Sequence, residues 1–247
     1  MPKVSAVLVH DEGTNYCGWQ EQEGLPTVQG SLIEAVRKLT LEENVKVNGA
    51  SRTDAGVHAW GQAANFMTES DIPARGVMHG LNFRLPHDIS IKEASDAPFH
   101  FDPRRDSKGK TYLYRILNRT CRSAMLSRYS WFVFKPLDIA RMREAARYYI
   151  GEKDFSSFMA SGSDALHSIR EVTSIEIFDR GDDIIEFEIK GTAFLRHMVR
   201  IMVGTIAAVG AGRLKPSGIK RIIEAKDRTA ADMTAPPQGL FLVRIDY

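Results

Sequence analysis

Cysteine is scarce in this chain: only Cys17 and Cys121 occur among its 247 residues. Two cysteines cannot build the disulfide framework of a small secreted domain, nor a zinc cluster by themselves. The seven histidines are scattered without a recognisable metal-ligand spacing. We therefore expect both thiols to be unpaired, and these residues do not imply a metal site.

Long hydrophobic runs are also missing. The longest candidate spans residues 198–209, where Arg200 interrupts it, and it is shorter than the roughly 20 residues that a membrane-crossing helix requires. The N-terminus enters a strand-like pattern without the features of a signal peptide. With 43% hydrophobic and 26% charged residues, the composition is that of a globular protein. These observations predict a cytoplasmic protein with no membrane partner and with one large or two small domains.

The charge is distributed unevenly, although its formal sum is only +2. Residues 1–100 carry eight Lys and Arg against thirteen Asp and Glu, whereas residues 101–150 carry twelve against four. A basic surplus concentrated in one stretch suggests a polyanionic partner, most often a nucleic acid. A solvated basic face without a partner explains the charge alone equally well.

Alternation and helical spacing of apolar residues predict an α+β protein with mainly antiparallel sheets. We place the boundary between two domains at 104/105, giving an N-terminal domain of residues 1–104 and a C-terminal domain of residues 105–247. The predicted helices cover Val28–Leu39, 73–83, Ile139–Ile150 with Asp138 as its N-cap, Phe194–Val209 and 216–225. The predicted strands cover Val4–His10, the region of Val45, Gln62–Phe66, Asp88–Glu93, Thr111–Leu117, Tyr129–Phe134, Val172–Phe178, Ile184–Lys190 and Leu240–Ile245.

The most specific string is Ala-Ser-Arg-Thr-Asp-Ala-Gly-Val-His-Ala at positions 50–59. It lies between two predicted strands and holds a carboxylate, Asp54, two residues from the guanidinium of Arg52 and two from Gly56, which suits a tight turn. Asp also caps helices and closes Asx turns, so Arg-Thr-Asp alone favours a structural role. The long ordered string is far more specific than a lone acid, and loops held between rigid elements often carry catalytic residues.

This string resembles the active-site motif of the tRNA pseudouridine synthase A family, whose catalytic aspartate corresponds to Asp54. Ser51 stands where that family often has Gly. The resemblance implies two similar domains with sheets joined around an active-site cleft, and a homodimer that acts on tRNA. It also implies an isomerase that converts uridine to pseudouridine in the anticodon stem-loop, at positions about 38, 39 and 40, with no cofactor.

A basic turn at 108–110 precedes two tyrosines on one face of a predicted strand, Tyr112 and Tyr114. Rings interleaved with cations suit nucleobases and phosphates, but alternating Tyr is also common in strand cores. By resemblance, Tyr112 packs on the target base, whereas Tyr114 stays structural. Arg104, at the start of the basic stretch, is a candidate for binding tRNA phosphates.

The predicted helix at 194–209 carries Arg196 and Arg200 at i,i+4 in an apolar setting. An arginine buried there is costly unless it is paired, and Asp54 is the natural partner, although arginines that reach solvent by snorkelling are an alternative. By resemblance, the Met-Val-Arg helix places Arg200 beside the catalytic aspartate. The last strand resembles the family's closing strand, so Leu242 would wall the base pocket, although core packing explains it equally well.

Two departures from the family pattern concern the RNA contacts rather than the acid. Asp11-Glu12-Gly13 stands where the family usually shows Tyr-Asp-Gly, and the stretch 99–104 is slightly longer. Two other classes of protein remain open. A non-catalytic RNA-binding module gives no reason for an acid beside phosphates, and a glycoside or nucleoside hydrolase normally needs a second working carboxylate.

Overall fold

A computed structural model describes residues 2–163 and 165–247 of the chain. They fall into two units, one ending at Lys108 but including Phe241–Tyr247, the other covering Gly109–Leu240. The strands are β1 (Lys3–Asp11), β2 (Val47–Gly49), β3 (His58–Thr68), β4 (Ile89–Ala97), β5 (Gly109–Asn118), β6 (Trp131–Val133), β7 (Gly151–Asp154), β8 (Ile169–Asp179), β9 (Ile184–Gly191) and β10 (Leu240–Asp246). The α-helices are α1 (Val28–Thr40), α2 (Ala74–Arg84), α3 (Ile139–Ala146), α4 (Met198–Gly210) and α5 (Gly218–Ala225).

The first unit is built on a mainly antiparallel sheet. β1 pairs with β3 on one side and with β4 on the other, and β2 pairs with β3, all antiparallel. β10 lies parallel to β3, with Phe241 opposite His58 and Leu242 opposite Ala59. Alternate strand residues and the apolar faces of α1 and α2 form the core, which includes Val7, Val9, Leu32, Val36, Phe66 and Leu81.

The second unit has its own mainly antiparallel sheet, in which β5, β9, β8 and β7 follow one another as neighbours. β6 lies parallel to the end of β5. The aromatic core is tight, since the ring of Phe158 meets that of Tyr149 edge-on at 5.1 Å. α3 packs against α4, and twelve of the thirteen residues of α4 are buried.

The predicted α+β class with mainly antiparallel sheets is confirmed. Asp138 caps α3 as predicted, because its side chain accepts a hydrogen bond from the Arg141 backbone N–H at 3.0 Å. The sequence places the domain boundary at 104/105, whereas the compact units meet at 108/109 and the last strand groups with the first unit.

Two helix predictions were too long. The helix predicted from Phe194 begins only at Met198, because His197 adopts a left-handed conformation with φ of 60°. Arg196 therefore lies outside α4 and does not share a helix face with Arg200. The helix predicted to Ile150 ends at Ala146 and continues as a short 3-10 turn, followed by the unpredicted strand β7.

No helix among the described residues is long and apolar enough to cross a bilayer.

Candidate active site

The loop at 50–57 leaves β2 and enters β3 in the first unit, and it carries Asp54. Its turn is closed by a hydrogen bond from the Val57 N–H to the Asp54 carbonyl at 3.1 Å. Gly56 has a φ of 76° inside that turn, the left-handed conformation that glycine adopts most easily. The Asp54 side chain is half-buried and Arg52 is exposed. A carboxylate accessible on a closed turn can reach a substrate.

The segment that follows β1 lies directly against this loop. The Trp19 N–H donates to the Thr53 carbonyl at 3.1 Å. Gly18 has a φ of 90°, and a Cβ there would lie 2.5 Å from the same carbonyl oxygen. A Cβ on Gly13 would collide with the Val57 carbonyl. Two glycines thus allow a close approach that fixes the backbone on both sides of Asp54.

A buried amide fixes the start of the loop. Gln62 on β3 is fully buried; its Oε1 accepts from the Ser51 N–H at 3.1 Å, and its Nε2 donates to the Ser51 carbonyl at 2.6 Å. The side chain of Gln62 therefore imitates a strand neighbour for Ser51. Sequence reasoning missed it, since a single Gln in a strand pattern carries no signal of such a bond.

His58 fixes the end of the loop. It is 1% exposed, and its Nδ1 accepts from the Gly13 N–H at 3.0 Å. The Glu12 carboxylate lies 3.6 Å from the same nitrogen. Nδ1 cannot accept from Gly13 and donate to Glu12 at once, and the shorter bond has the better geometry. The His58 ring therefore carries no proton on Nδ1. The same ring stacks on that of Phe241, with centroids 4.8 Å apart.

Asp11, at the end of β1, is a buried carboxyl group. It is 5% exposed, pairs across the sheet with Ala59, and neither of its oxygens has a hydrogen-bond partner among the described residues. Burial, reinforced by the negative charges of Glu12 and Asp88, raises its pKa to about 8. Asp11 is therefore mostly protonated at neutral pH. This group occupies one of the positions at which the sequence departs from the family pattern.

Two further candidates belong to the first unit. Leu242 is fully buried on β10 opposite Ala59, immediately beside the exit of the Asp54 loop. Arg104 is exposed in a turn in which its backbone N–H donates to Asp102 Oδ1 at 2.9 Å, as does that of Arg105 at 3.0 Å. The Asp102 carboxylate holds the turn and presents the arginines to solvent.

Tyr112 and Tyr114 both lie on β5 in the second unit, and both are buried. The Tyr112 ring meets the Phe194 ring edge-on, with centroids 5.1 Å apart. Tyr114 donates its hydroxyl to the Pro236 carbonyl at 2.7 Å, which fits the structural role predicted for it. Burial raises the pKa of Tyr114 well above its ordinary value, and the nearby charge of Arg200 opposes this.

Arg200 is half-buried, and it is the one residue of α4 that does not count as buried. Its Nε donates to the Ala235 carbonyl at 2.8 Å, while the Ala235 N–H donates back to the Arg200 carbonyl at 3.1 Å. A Cβ on Gly204 would collide with the Met233 carbonyl, so this chain segment lies flat on the helix. The pairing of Arg200 with Asp54 stays a prediction.

Within the part of the chain that the structure describes, no group of three or more His, Cys, Asp or Glu side chains is arranged to hold a metal ion.

Comparison with known proteins identifies the family. A family model described as tRNA pseudouridine synthase matches residues 8–104 and 145–247. A protein of Thermoanaerobacter sp. (strain X514) is 46% identical over 241 residues, covering 98% of both chains, and one of Myxococcus xanthus is 42% identical over 247 residues, covering 100% of this chain and 92% of its own. Both are named tRNA pseudouridine synthase A.

Among solved structures, a chain of a Cbf5-Nop10-Gar1 complex aligns with a TM-score of 0.41 and 11% identity, over 98% of this chain and 48% of that one. A likeness this weak supports no inference about function. The family model and the full-length relatives are decisive: this chain belongs to the tRNA pseudouridine synthase family.

Proposed function

We propose that this protein is an isomerase that converts uridine to pseudouridine in the anticodon stem-loop of tRNA, at positions about 38, 39 and 40. Membership of the family supports the activity. The observation that carries the proposal is the Asp54 loop, whose backbone is bound on one side by Trp19 and on the other by Gln62. Such a fixed loop suits a carboxylate that must meet one atom of a ribose.

The reaction breaks the bond between ribose carbon 1 and base nitrogen 1, and a new bond joins ribose carbon 1 to base carbon 5. The proton on carbon 5 leaves to solvent, and nitrogen 1 gains one. Nothing is oxidised and no group leaves the molecule, so the chemistry itself needs no cofactor. Asp54 can act by attacking ribose carbon 1 or by removing a proton from ribose carbon 2, and both routes require its ionised form.

The target uridine must leave the RNA stack to reach Asp54. Arg52, exposed two residues from the acid, is the group we assign to the vacated space or to the RNA backbone. Arg200 supplies the positive charge that favours ionised Asp54. This role is supported by the position of Arg200, which is the one residue of α4 that is not buried.

The remaining assignments concern the base and the phosphates. Tyr112 packs on the target base and is the first candidate to take the proton from carbon 5. Leu242 forms part of the base pocket, and its place beside Ala59 at the exit of the catalytic loop supports this. Arg104, exposed at the surface, binds phosphate. A homodimer acting in the cytoplasm completes the proposal.

Substitution of the carboxylate tests the activity. Asp54→Asn keeps the shape of the side chain without a nucleophile or base, so we expect it to bind tRNA normally and to release no tritium from tRNA labelled at uridine carbon 5. Asp96→Asn is the matched control, because Asp96 is an exposed carboxylate paired only loosely with Lys3 at 3.6 Å. Substantial multiple turnover by Asp54→Asn would rule out the assignment.

Product analysis separates the alternatives. A hydrolase would release free uracil, whereas the isomerase leaves the base attached to the RNA. A non-catalytic RNA-binding module would show no difference between wild type and Asp54→Asn in either product. Pseudouridine formed by the wild type without free uracil is the result we expect.

A further inference from the structure

The segment of residues 119–135, called here the basic excursion, leaves the end of β5 and returns through β6. It contains four basic residues and no Asp or Glu, the basic ones being Arg119, Arg122, Arg128 and Lys135. It lies wholly outside residues 8–104 and 145–247, the two stretches that the family model matches. A full-length relative aligns across it, but the family-model match assigns no role to this part of the second unit.

One amide closes the base of the excursion. Asn118 Nδ2 donates to the carbonyls of Val133 at 2.8 Å and Lys135 at 2.7 Å, and its Oδ1 accepts from the Leu137 N–H at 3.0 Å. Within the excursion, the Ser130 hydroxyl donates to the Leu126 carbonyl at 2.8 Å. The segment is thus a closed loop with its own internal bonds.

Large apolar side chains of the excursion face solvent. Met125 is 82% exposed, Phe134 60% and Phe132 37%. Phe132 lies on β6, and Phe134 follows directly after the end of that strand. The Lys135 ammonium lies 5.9 Å from the centre of the Phe134 ring. Trp131 instead packs edge-on against Tyr114, so the excursion anchors one ring and exposes two.

We infer that the basic excursion is an RNA-binding surface of this protein. Arg122 and Lys135, both exposed, attract phosphates, while Phe132 and Phe134 offer faces on which unpaired bases stack. The RNA that this surface binds is tRNA, and that identity rests on the proposed function. The excursion adds a contact surface outside the residues assigned to the reaction.

A second copy of this chain fits the surface less well. A two-fold interface sets the same patch of both subunits against itself. Here it would bring together two segments with four positive charges each and no acid of their own. RNA carries negative phosphates along its whole length. The phosphates therefore attract the basic excursion, whereas the excursion of a second copy would repel it.

Charge neutralisation is the first test. We expect the double variant Arg122→Gln/Lys135→Gln to bind tRNA at least several-fold more weakly, with the slope of log affinity against log salt reduced by about 1 to 2. The matched control is Lys38→Gln/Lys220→Gln, which makes the same charge change at two exposed lysines that pair with Glu34 and Glu224 on their own helices. If the two double variants lose the same amount of tRNA affinity, the effect comes from the net charge of the protein, and the inference is wrong.

A ring substitution is the second test. Phe134→Ser removes a ring beside a lysine, and Phe83→Ser removes an exposed ring beside Arg84 on α2, with the guanidinium 6.0 Å from the ring centre. We expect only Phe134→Ser to weaken tRNA binding. If Phe134→Ser changes the oligomeric state in sedimentation and leaves tRNA affinity per protomer unchanged, the surface joins protein subunits and the inference is wrong.

Activity separates this inference from the proposed function. At saturating tRNA we expect the Arg122→Gln/Lys135→Gln variant to release tritium within about two-fold of the wild-type rate, because it lacks only a binding surface. A wild type that releases no tritium would end the proposed function. The comparison of the two double variants, with tRNA as the probe, would still decide whether the excursion binds RNA.

Discussion

Asp54 and Arg200, the two charged groups proposed for the reaction, are held in different ways within their own units. Asp54 lies on an irregular loop whose backbone bonds to the segment after β1. Arg200 lies in the first turn of α4, a helix otherwise buried along its whole length. The carboxylate depends on a few specific contacts, whereas the arginine depends on the packing of a regular element.

The difference follows from backbone hydrogen bonding. A helix repeats the same backbone hydrogen bond along its axis, so the remaining bonds keep the helix in place when one contact is altered. A loop must satisfy each N–H and C=O separately, and here Gly18 approaches the Thr53 carbonyl so closely that no side chain fits. We therefore expect substitutions at residues that contact the loop to disturb the geometry around Asp54, even though Asp54 itself is unchanged.

Among changes that leave Asp54 in place, substitution of Arg200 should have the largest effect on activity, and it tests whether the charge of Arg200 or its fit matters. Arg200→Met loses the charge and the bond to the Ala235 carbonyl, while Arg200→Lys keeps the charge with poorer geometry. We expect Met to lower kcat/KM by about 100-fold or more, and Lys to retain clearly more activity. Arg196→Met is the control, since Arg196 is exposed and donates to the Ser161 and Gly162 carbonyls. Equal activity in Met and Lys would show that the charge plays no part.

Gly18→Ala should disturb the Asp54 loop without touching the acid. The new Cβ would press on the Thr53 carbonyl, and displacement of a catalytic group by about 1 Å costs on the order of 100-fold in rate. Gly24→Ala is the matched control, because Gly24 also has a positive φ, 74°, but nothing lies within 4 Å of its Cβ position. Both variants should lose roughly 1 to 2 kcal/mol of stability from the left-handed backbone. Similar kcat/KM values in the two would contradict the idea that this contact positions the loop.

His58 offers a finer test of the same loop. His58→Leu removes the acceptor for the Gly13 N–H and leaves that donor buried and unpaired, at a cost of about 1 to 3 kcal/mol. His58→Asn can place an oxygen near the former Nδ1 position. We expect Leu to lower kcat by about tenfold with little change in KM, and Asn to restore most of it.

A merely structural role for His58 predicts a different pattern. The two variants would then lose activity in proportion to their loss of folded protein, with kcat per folded molecule unchanged. Thermal unfolding measured alongside tritium release distinguishes the two outcomes.

Local patterns predicted much of the fold, because alternation and helical spacing reflect which residues are buried. The Asp138 cap and the turn at Gly56 followed from residue chemistry alone. The start of α4 did not, since a left-handed His197 overrides an apolar spacing that would continue the helix upstream.

Candidate site residues carried the clearest signal in the sequence where they formed a continuous string. Asp54 and His58 belong to one continuous motif, but the bond from Gln62 to Ser51 depends on strand register, which no local spacing reveals. The burial of Asp11 was likewise hidden, because an acid beside Glu12 and a turn glycine looks exposed.

Asp11 gives the smallest predicted effect on activity, because its effect appears in the pH dependence of stability. Its pKa is about 8 in the folded protein against an ordinary value of 3.8, so the unfolded chain releases this proton at a lower pH than the folded one. Between those values the unfolded state binds fewer protons, and the contribution of Asp11 to stability therefore falls as pH rises from about 4 to about 8. Asp11→Asn cannot titrate and should lose this decline.

Urea unfolding of wild type and Asp11→Asn at pH 5 and pH 8 measures the difference. We expect the variant to gain about 3 to 4 kcal/mol relative to wild type between the two pH values, since nearly the whole interval lies between the folded and unfolded pKa values. Asp96→Asn, at an exposed carboxylate, should show no such gain. An unchanged pH dependence in Asp11→Asn would mean that Asp11 is ionised in the folded protein. A third negative charge would then stand with Glu12 and Asp88 close to the loop that must receive an RNA phosphate backbone.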